Sequence, residues 1–442
     1  CGRERQSTDA SVLTIALIMG CACGTASKRN GVQIAPEPIS EIGDETGRSV
    51  AERLAGNGFT AKQLLIFWRT YGTPPYGNIW KLGSHVRHAA KAEWRGTITR
   101  ETTTSEVVRD IVIPETAVSK SCYMDSDFMR SLGGAKRANK LVSHWWGNTL
   151  YNDILCILQD ATGIDFARLE ILISYADMDL VEANLPNRTL DETYWLCIWA
   201  VNQHVSICGT QWNPCTCNSV KYPSGHPLCE MDKFDSVMEL MRGGLVVALD
   251  VQVKTVERCW VLSEIGKSLE RGYTIEYYLP SDLAPELRSQ AIVIPSIEDC
   301  KATLEDDKQR IIKQVRDTVT VPVFDQRVSE SILPIVRKVA LFSSAKHGDV
   351  DAVKALLIAG AATDQTSNAG ATPLFFASQY RHLEVVQTLI DAGAVLDRSR
   401  KDTVTPLYIA SYNGYLDVVQ ALLAAGASKD QARDDGVTPL YI

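Results

Sequence analysis

Thr372-Pro373-Leu374-Phe375-Phe376-Ala377, Thr405-Pro406-Leu407-Tyr408-Ile409-Ala410 and Thr438-Pro439-Leu440-Tyr441-Ile442 set a register of 33 residues through the end of the chain. Other columns keep the same interval: Val353, Val386 and Val419; Leu356, Leu389 and Leu422; Gly360-Ala361, Gly393-Ala394 and Gly426-Ala427; Asp364, Asp397 and Asp430. So many columns in step identify one supersecondary unit repeated along the chain. Thr-Pro predicts a helix start, because proline at the first helical position lacks only a donor that would be unpaired there. Gly-Ala predicts a helix end, with glycine taking the left-handed position past the last turn.

The pattern resembles the ankyrin repeat, and that resemblance implies a turn plus two antiparallel helices, stacked so that each repeat buries its neighbour's apolar face. It also implies an unnamed protein partner bound on the ankyrin face. The sequence departs from the family at one column: the histidine of Thr-Pro-Leu-His is replaced by Phe375, Tyr408 and Tyr441. Polar bonding between repeats through that histidine is therefore expected to be absent. The first repeat, near Leu341, has Val339-Ala340 in place of Thr-Pro, as expected of a capping repeat. The array spans 341–442 and stops inside a fourth signature, so further repeats are expected after Ile442.

A chain of 442 residues with 45% hydrophobic content has room for more than one globular domain. Its formal charge of -8 argues against a nucleic-acid partner, whose electrostatic footprint is an excess of Lys and Arg. Twelve cysteines are too dilute for a secreted disulfide scaffold, so reduced thiols and a cytoplasmic location are expected. No run reaches the roughly 18 apolar residues of a membrane span.

Residues 1–46 read as a polar, proline-bearing disordered tail. Within it, Met19-Gly20-Cys21-Ala22-Cys23 resembles an acylation start, with Gly20 as myristate acceptor and Cys21 and Cys23 as palmitate acceptors. The match is imperfect, because Gly24 occupies the position of the motif's Ser or Thr. Two acyl chains would hold the protein peripherally at the cytoplasmic face of a membrane. A competing reading takes Val12 to Cys23 as the apolar part of a signal peptide.

Residues 47–104 carry helical spacing and no assignable chemistry. Over 105–296, short β-rich runs alternate with amphipathic stretches, the pattern of a parallel sheet with crossover helices. The expected strands are Val107 to Ile113, Lys140 to Trp146, Trp195 to Val201, Gly244 to Asp250 and Tyr273 to Leu279; the expected helices are 149–161, 233–242 and 256–271. A charged helical connector, 297–340, leads to the array.

Three segments of this region resemble a Toll/interleukin-1 receptor (TIR) domain over residues 138–285. Leu141-Val142-Ser143-His144-Trp145-Trp146 stands where that family's first strand ends. Leu245-Val246-Val247-Ala248-Leu249-Asp250 resembles a later strand, and Arg258-Cys259-Trp260-Val261-Leu262-Ser263-Glu264 keeps the W-x-x-x-E spacing, with cysteine before the tryptophan instead of after it. The resemblance implies a multidomain chain: a TIR-like, flavodoxin-like α/β parallel-sheet domain followed by an all-α ankyrin solenoid. It also implies a candidate NAD-cleaving site, with Glu264 as the carboxylate that steadies the ribosyl cation, Trp260 beside it, and Ser143, His144, Trp145 and Trp146 lining the cleft at the strand ends. The competing reading is a self-associating module in which Trp260 is core, Glu264 is paired with Lys267 or Arg271, and His144 is a hydrogen-bonded loop residue.

A second constellation lies in the insertion 204–232. Cys208, Cys215, Cys217, His226 and Cys229 crowd together, with His204 just upstream. Thiolates and imidazole in a segment poor in core residues suit structural zinc, although C-x6-C-x-C-x8-H-x2-C matches no standard finger, and free thiols remain the competing reading. No phosphate loop, dinucleotide fingerprint or nucleophile elbow is present. Together these readings predict an intracellular signalling scaffold, with an NAD glycohydrolase as the alternative.

Overall fold

The computed structural model describes residues 49–72, 98–174, 190–206, 215–217, 219–220, 227–230, 233–241, 243–280, 283–288, 293–302, 305–367 and 369–441. The candidate acylation residues Gly20, Cys21 and Cys23, together with Cys208 and His226, lie outside the described residues. No helix among the described residues is long and apolar enough to cross a membrane.

Among the described residues, five strands form one sheet: β1 (Phe59–Thr60), β2 (Lys140–Ser143), β3 (Thr193–Trp195), β4 (Gly244–Ala248) and β5 (Ile275–Tyr278), in the order β1-β3-β2-β4-β5. Strands β3, β2, β4 and β5 are parallel, while β1 joins β3 antiparallel through Phe59 opposite Tyr194. Counted along the chain, the parallel strands lie 2-1-3-4, the order of doubly wound sheets, and the order reverses between β2 and β4. The sheet is thus mixed, not wholly parallel. Its antiparallel edge comes from residues expected to form a separate helical preamble, where the short pattern around Phe59 gave no alternation to read.

β4, Gly-Leu-Val-Val-Ala, is buried at every residue, as a central strand covered on both faces must be. Helix α1 (Ala61–Tyr71) follows β1, and helix α2 (Leu150–Thr162) follows β2, capped by Thr149 Oγ1 accepting from Asn152 N at 3.2 Å and closed by Gly163 at φ 70°. Helix α3 (Cys259–Glu270) crosses from β4 to β5 and buries Val261, Leu262, Ile265 and Ser268.

The expected strand Val107 to Ile113 is helical instead. Thr103 and Glu106 form a capping box, and the chain runs on through a π-turn to Thr116. A short run rich in valine and isoleucine can read as strand or helix; here the capping box starts a helix that leaves Arg109 and Asp110 exposed between buried residues. The run from Trp195 is likewise split: β3 ends at Trp195 and a helical turn, Cys197–Ala200, follows.

The connector is two helices, α4 (Glu305–Thr318) and α5 (Val321–His347), and α5 belongs to both halves of the molecule. Its buried Phe324, Val328, Ile332 and Val336 recur at four-residue spacing, so they line one face. Phe324 packs so closely on Gly266 of α3 that a Cβ there would lie 2.1 Å from its ring. Tyr277 of β5 reaches Ser331, hydroxyl to hydroxyl, at 2.7 Å. Beyond these contacts the same helix carries Ala340, Leu341 and Ala345 into the repeat core. The first repeat needs no Thr-Pro start because its first helix is the continuation of α5.

Helix pairs follow at Pro373–Gln379 with Leu383–Asp391 and at Pro406–Tyr412 with Leu416–Ala424, after Val350–Ile358. Thr372 and Thr405 cap as predicted, each accepting from the amide three residues on at 3.1 Å. Gly360, Gly393 and Gly426 all take φ between 82° and 98°. The following alanine amides reach back to Leu356, Leu389 and Leu422, closing three Schellman motifs.

Candidate functional site

At the carboxyl end of β2, where the strand order reverses, Ser143 turns to α3 while His144 and Trp146 meet at Cys197; the Trp145 side chain makes no hydrogen bond with these groups among the described residues. Ligands of open α/β sheets bind at such a point. Here it is closed by side chains. The Ser143 hydroxyl donates to Glu264 Oε2 from α3, and Asn152 Nδ2 donates to the Leu249 carbonyl at the end of β4 at 2.9 Å. Glu264 is 7% exposed, and burial pushes its carboxyl up to about 7 despite the opposing Ser143 bond.

The expected ion pair of Glu264 with Lys267 or Arg271 does not form. Lys267 pairs with Asp235 and Arg271 with Glu239, both on the neighbouring helix Phe234–Glu239. Those two cations sit further along α3, beside solvent-accessible acids, whereas Glu264 faces the sheet. Trp260, one turn earlier, is half-buried between Phe234, with ring centroids 6.3 Å apart, and Arg310 of α4, whose guanidinium lies 5.1 Å from the ring.

His144 stands in a buried chain of groups that sequence reading did not assemble. Its Nδ1 meets Asp153 Oδ2 at 3.0 Å and its Nε2 meets Cys197 Sγ at 3.3 Å. Trp146 Nε1 donates to the same sulfur at 3.2 Å. Asp153 also accepts from Asn148 Nδ2 at 2.7 Å and Thr104 Oγ1 at 3.1 Å. Burial opposes the imidazolium, but the Asp153 carboxylate and then the Cys197 side chain outweigh it and raise His144 to about 10. Asp153 and Cys197 thus favour the imidazolium, whose two nitrogens face them.

Thiol, imidazole and carboxylate stand in the order found at cysteine nucleophiles. The cluster is enclosed, however, with Cys197 only 8% exposed. Asp153, in the first turn of α2, and Cys197, hidden in a run read as strand, were the residues missed. Only the fold brings them to His144.

In the cysteine-rich insertion, His204, Cys215 and Cys217 place one ligand atom each within 4.8 Å of one another. Cys229 is buried and is not part of that group. His204, upstream of the expected ligand set, is the histidine beside Cys215 and Cys217.

On the array, the aromatic column that replaces histidine makes its own contacts between repeats. Arg400 lies 5.4 Å from the Phe375 ring centroid and Arg433 lies 5.8 Å from that of Tyr408, each arginine 25 residues after its aromatic and in the following turn. Phe375 and Tyr408 pack with Ala371 and Val404 beneath these turns. The aspartate column also bridges repeats: Asp364 Oδ1 accepts from Val395 N at 2.8 Å and Asp397 Oδ1 from Ser428 N at 2.9 Å. Tyr380 and Tyr412 stand 45% and 66% exposed at adjoining ends of the first helices, where Asn413 Nδ2 donates to the Gln379 carbonyl at 3.4 Å.

The family profile described as Ankyrin repeats (3 copies) matches residues 341–441. Those residues are ankyrin repeats. Ankyrin repeats generally bind protein partners, which supports a protein-interaction role for this part of the chain. No curated protein matches the sequence.

Proposed function

We propose that the protein is a signalling scaffold: the ankyrin array binds a protein partner, and the α/β domain is the TIR-like module that responds. One observation supports the coupling, namely that α5 is at once a packing element of the sheet domain, through Phe324 and Tyr277–Ser331, and the first helix of the array. A partner that bends or stiffens the array acts on α5. Through Gly266 and Phe324 it then acts on α3, the helix that carries Glu264.

The test compares the wild-type chain with a Tyr380→Ala/Tyr412→Ala double variant as bait, with the circular dichroism of both recorded first. A partner retained by the wild type and lost by the double variant supports the scaffold reading. Equal capture by both would show that the exposed Tyr380 and Tyr412 are not part of the binding face. Hydrogen exchange in residues 259–270 should slow when the partner binds, and unchanged exchange there would sink the coupling.

The NAD-cleaving alternative rests on Glu264. Its carboxyl is enclosed and bonded to Ser143, an arrangement that favours a packing role. Incubating the full chain with NAD decides the matter: nicotinamide release lost in Glu264→Gln would restore the enzymatic reading.

A further inference from the structure

We propose that His204, Cys215 and Cys217 form a zinc(II) site that pins the cysteine-rich insertion to the α/β domain. The insertion begins at a fixed point. His204 is fully buried, its amide donates to Asn202 Oδ1 at 2.9 Å, and the Asn202 amide donates to Glu230 Oε2 at 2.6 Å. Glu230, at the far end of the insertion, is itself paired with Arg53 at 2.6 Å. Both ends of the segment are therefore anchored independently of any metal.

The imidazole is preset as a ligand. Thr116 Oγ1 donates its one proton to the Val112 carbonyl at 2.6 Å, so it can only accept at its 2.9 Å contact with His204 Nε2. Nε2 therefore carries the proton, and Nδ1 offers its lone pair toward Cys215 Sγ, 3.5 Å away. A second partner that fixes the tautomer in this way is the usual accompaniment of a metal-binding histidine.

The spacing fits the same ion. Zinc bonds of about 2.0–2.1 Å to nitrogen and 2.3 Å to sulfur, at tetrahedral angles, leave the two ligand atoms roughly 3.6 Å apart. The observed 3.5 Å matches that edge, and Cys217 Sγ lies within 4.8 Å of both other ligand atoms. Two soft sulfurs and one borderline nitrogen select zinc over magnesium or calcium, which take oxygen ligands. Cys215 and Cys217 are half-buried against the edge of the core, so an ion there would order a segment with little apolar area of its own.

The experiment is metal analysis of the full-length chain purified without chelator. About one equivalent of zinc is expected, falling at least tenfold in Cys215→Ser/Cys217→Ser. Cobalt(II) added to chelator-stripped protein should give thiolate-to-metal charge transfer that is lost in the double variant. His204→Gln should weaken binding while the far-ultraviolet circular dichroism stays unchanged, which separates ligand loss from unfolding. Zinc far below one equivalent in folded wild type, or the same zinc content and cobalt spectrum in the double variant, would overturn the site.

Discussion

The two halves of the molecule keep their polar groups in opposite ways. In the repeat array, recurring polar contacts lie near the surface and copy from one repeat to the next: Asp364 and Asp397 on amides 31 residues away, and arginines over the aromatic column. The α/β domain buries single, unrepeated ionisable groups, Glu264 against Ser143 and His144 between Asp153 and Cys197. A periodic array spreads its stability over many small, equivalent terms, while the domain concentrates large ones at the end of β2. Damage should therefore be shallow in one half and deep in the other.

The deepest cut is Asp153→Asn. It leaves the buried His144 imidazolium without its carboxylate, and removing one member of a buried pair costs roughly 3–5 kcal/mol. His144, raised from 6.5 to about 10, adds stability that is full below pH 6.5 and is lost as pH rises through 10. The variant should lose most stability just below pH 6.5, where that contribution is full, and its His144 should titrate lower by NMR. A variant whose His144 titration is unmoved would show that Asp153 is not the controlling charge.

Next in size is Glu264→Gln, whose effect depends on pH. The folded carboxyl is raised to about 7 from 4.5, so the folded state holds the proton more tightly than the unfolded one. Stability therefore falls as pH climbs from about 4.5 to about 7 and stays reduced above, by on the order of 3 kcal/mol. Glutamine, which cannot ionise, should abolish that slope: little difference from wild type at pH 4.5, and a more stable domain at pH 8. Urea midpoints at both pH values measure it. A parallel shift at the two values would show that Glu264 is not the titrating group.

What could be read from the sequence follows the same division. The array was legible down to its caps, because each repeat's Thr, Gly and Asp answer to neighbours at a fixed chain distance. In the domain, β2, β4 and β5 were visible as apolar runs, α2 to within a residue at each end, and α3 except for its start, which lies at Cys259 after a separate turn rather than at 256. The cluster at the strand ends was not: His144, Asp153 and Cys197 meet only after β2, α2 and β3 are assembled, and no spacing along the chain encodes that. The same holds for Thr116 beneath His204, 88 residues away. The strand assigned to Val107 to Ile113 failed because its β-branched residues suggest a strand, whereas the exposed pair Arg109 and Asp110 between buried Val108 and Ile111 follows the period of a helix.

A smaller effect tests the periodic half. Gly393 sits at φ 82°, and no neighbouring atom lies within 4 Å of the point where a Cβ would stand, so alanine there meets no clash and bears only the left-handed backbone cost. That is roughly 1–2 kcal/mol, confined to the array. Gly360 and Gly426 occupy the equivalent position, so their alanine variants should cost about the same if the repeats are equivalent. A markedly larger loss at one of the three would show that the array is not uniform and that the contrast with the domain is overstated.

The smallest effect is at Arg400. Its guanidinium lies over the buried Phe375 ring while its charge remains with Asp402 in the exposed turn. Arg400→Ala removes a partly exposed cation–π contact, so the expected loss is about 0.5–1 kcal/mol. Arg400→Lys should recover only part of it, because an ammonium cannot lie flat on the ring as a guanidinium does. The comparison is sharpened by pairing this change with Phe375→Leu. If the arginine stabilises the array through the ring, the two losses will fall short of additive in a double-mutant cycle of urea midpoints. Full additivity would place Arg400's role in its turn with Asp402, and Phe375 would then hold its neighbours by apolar packing in the cluster with Ala371, Val404 and Tyr408.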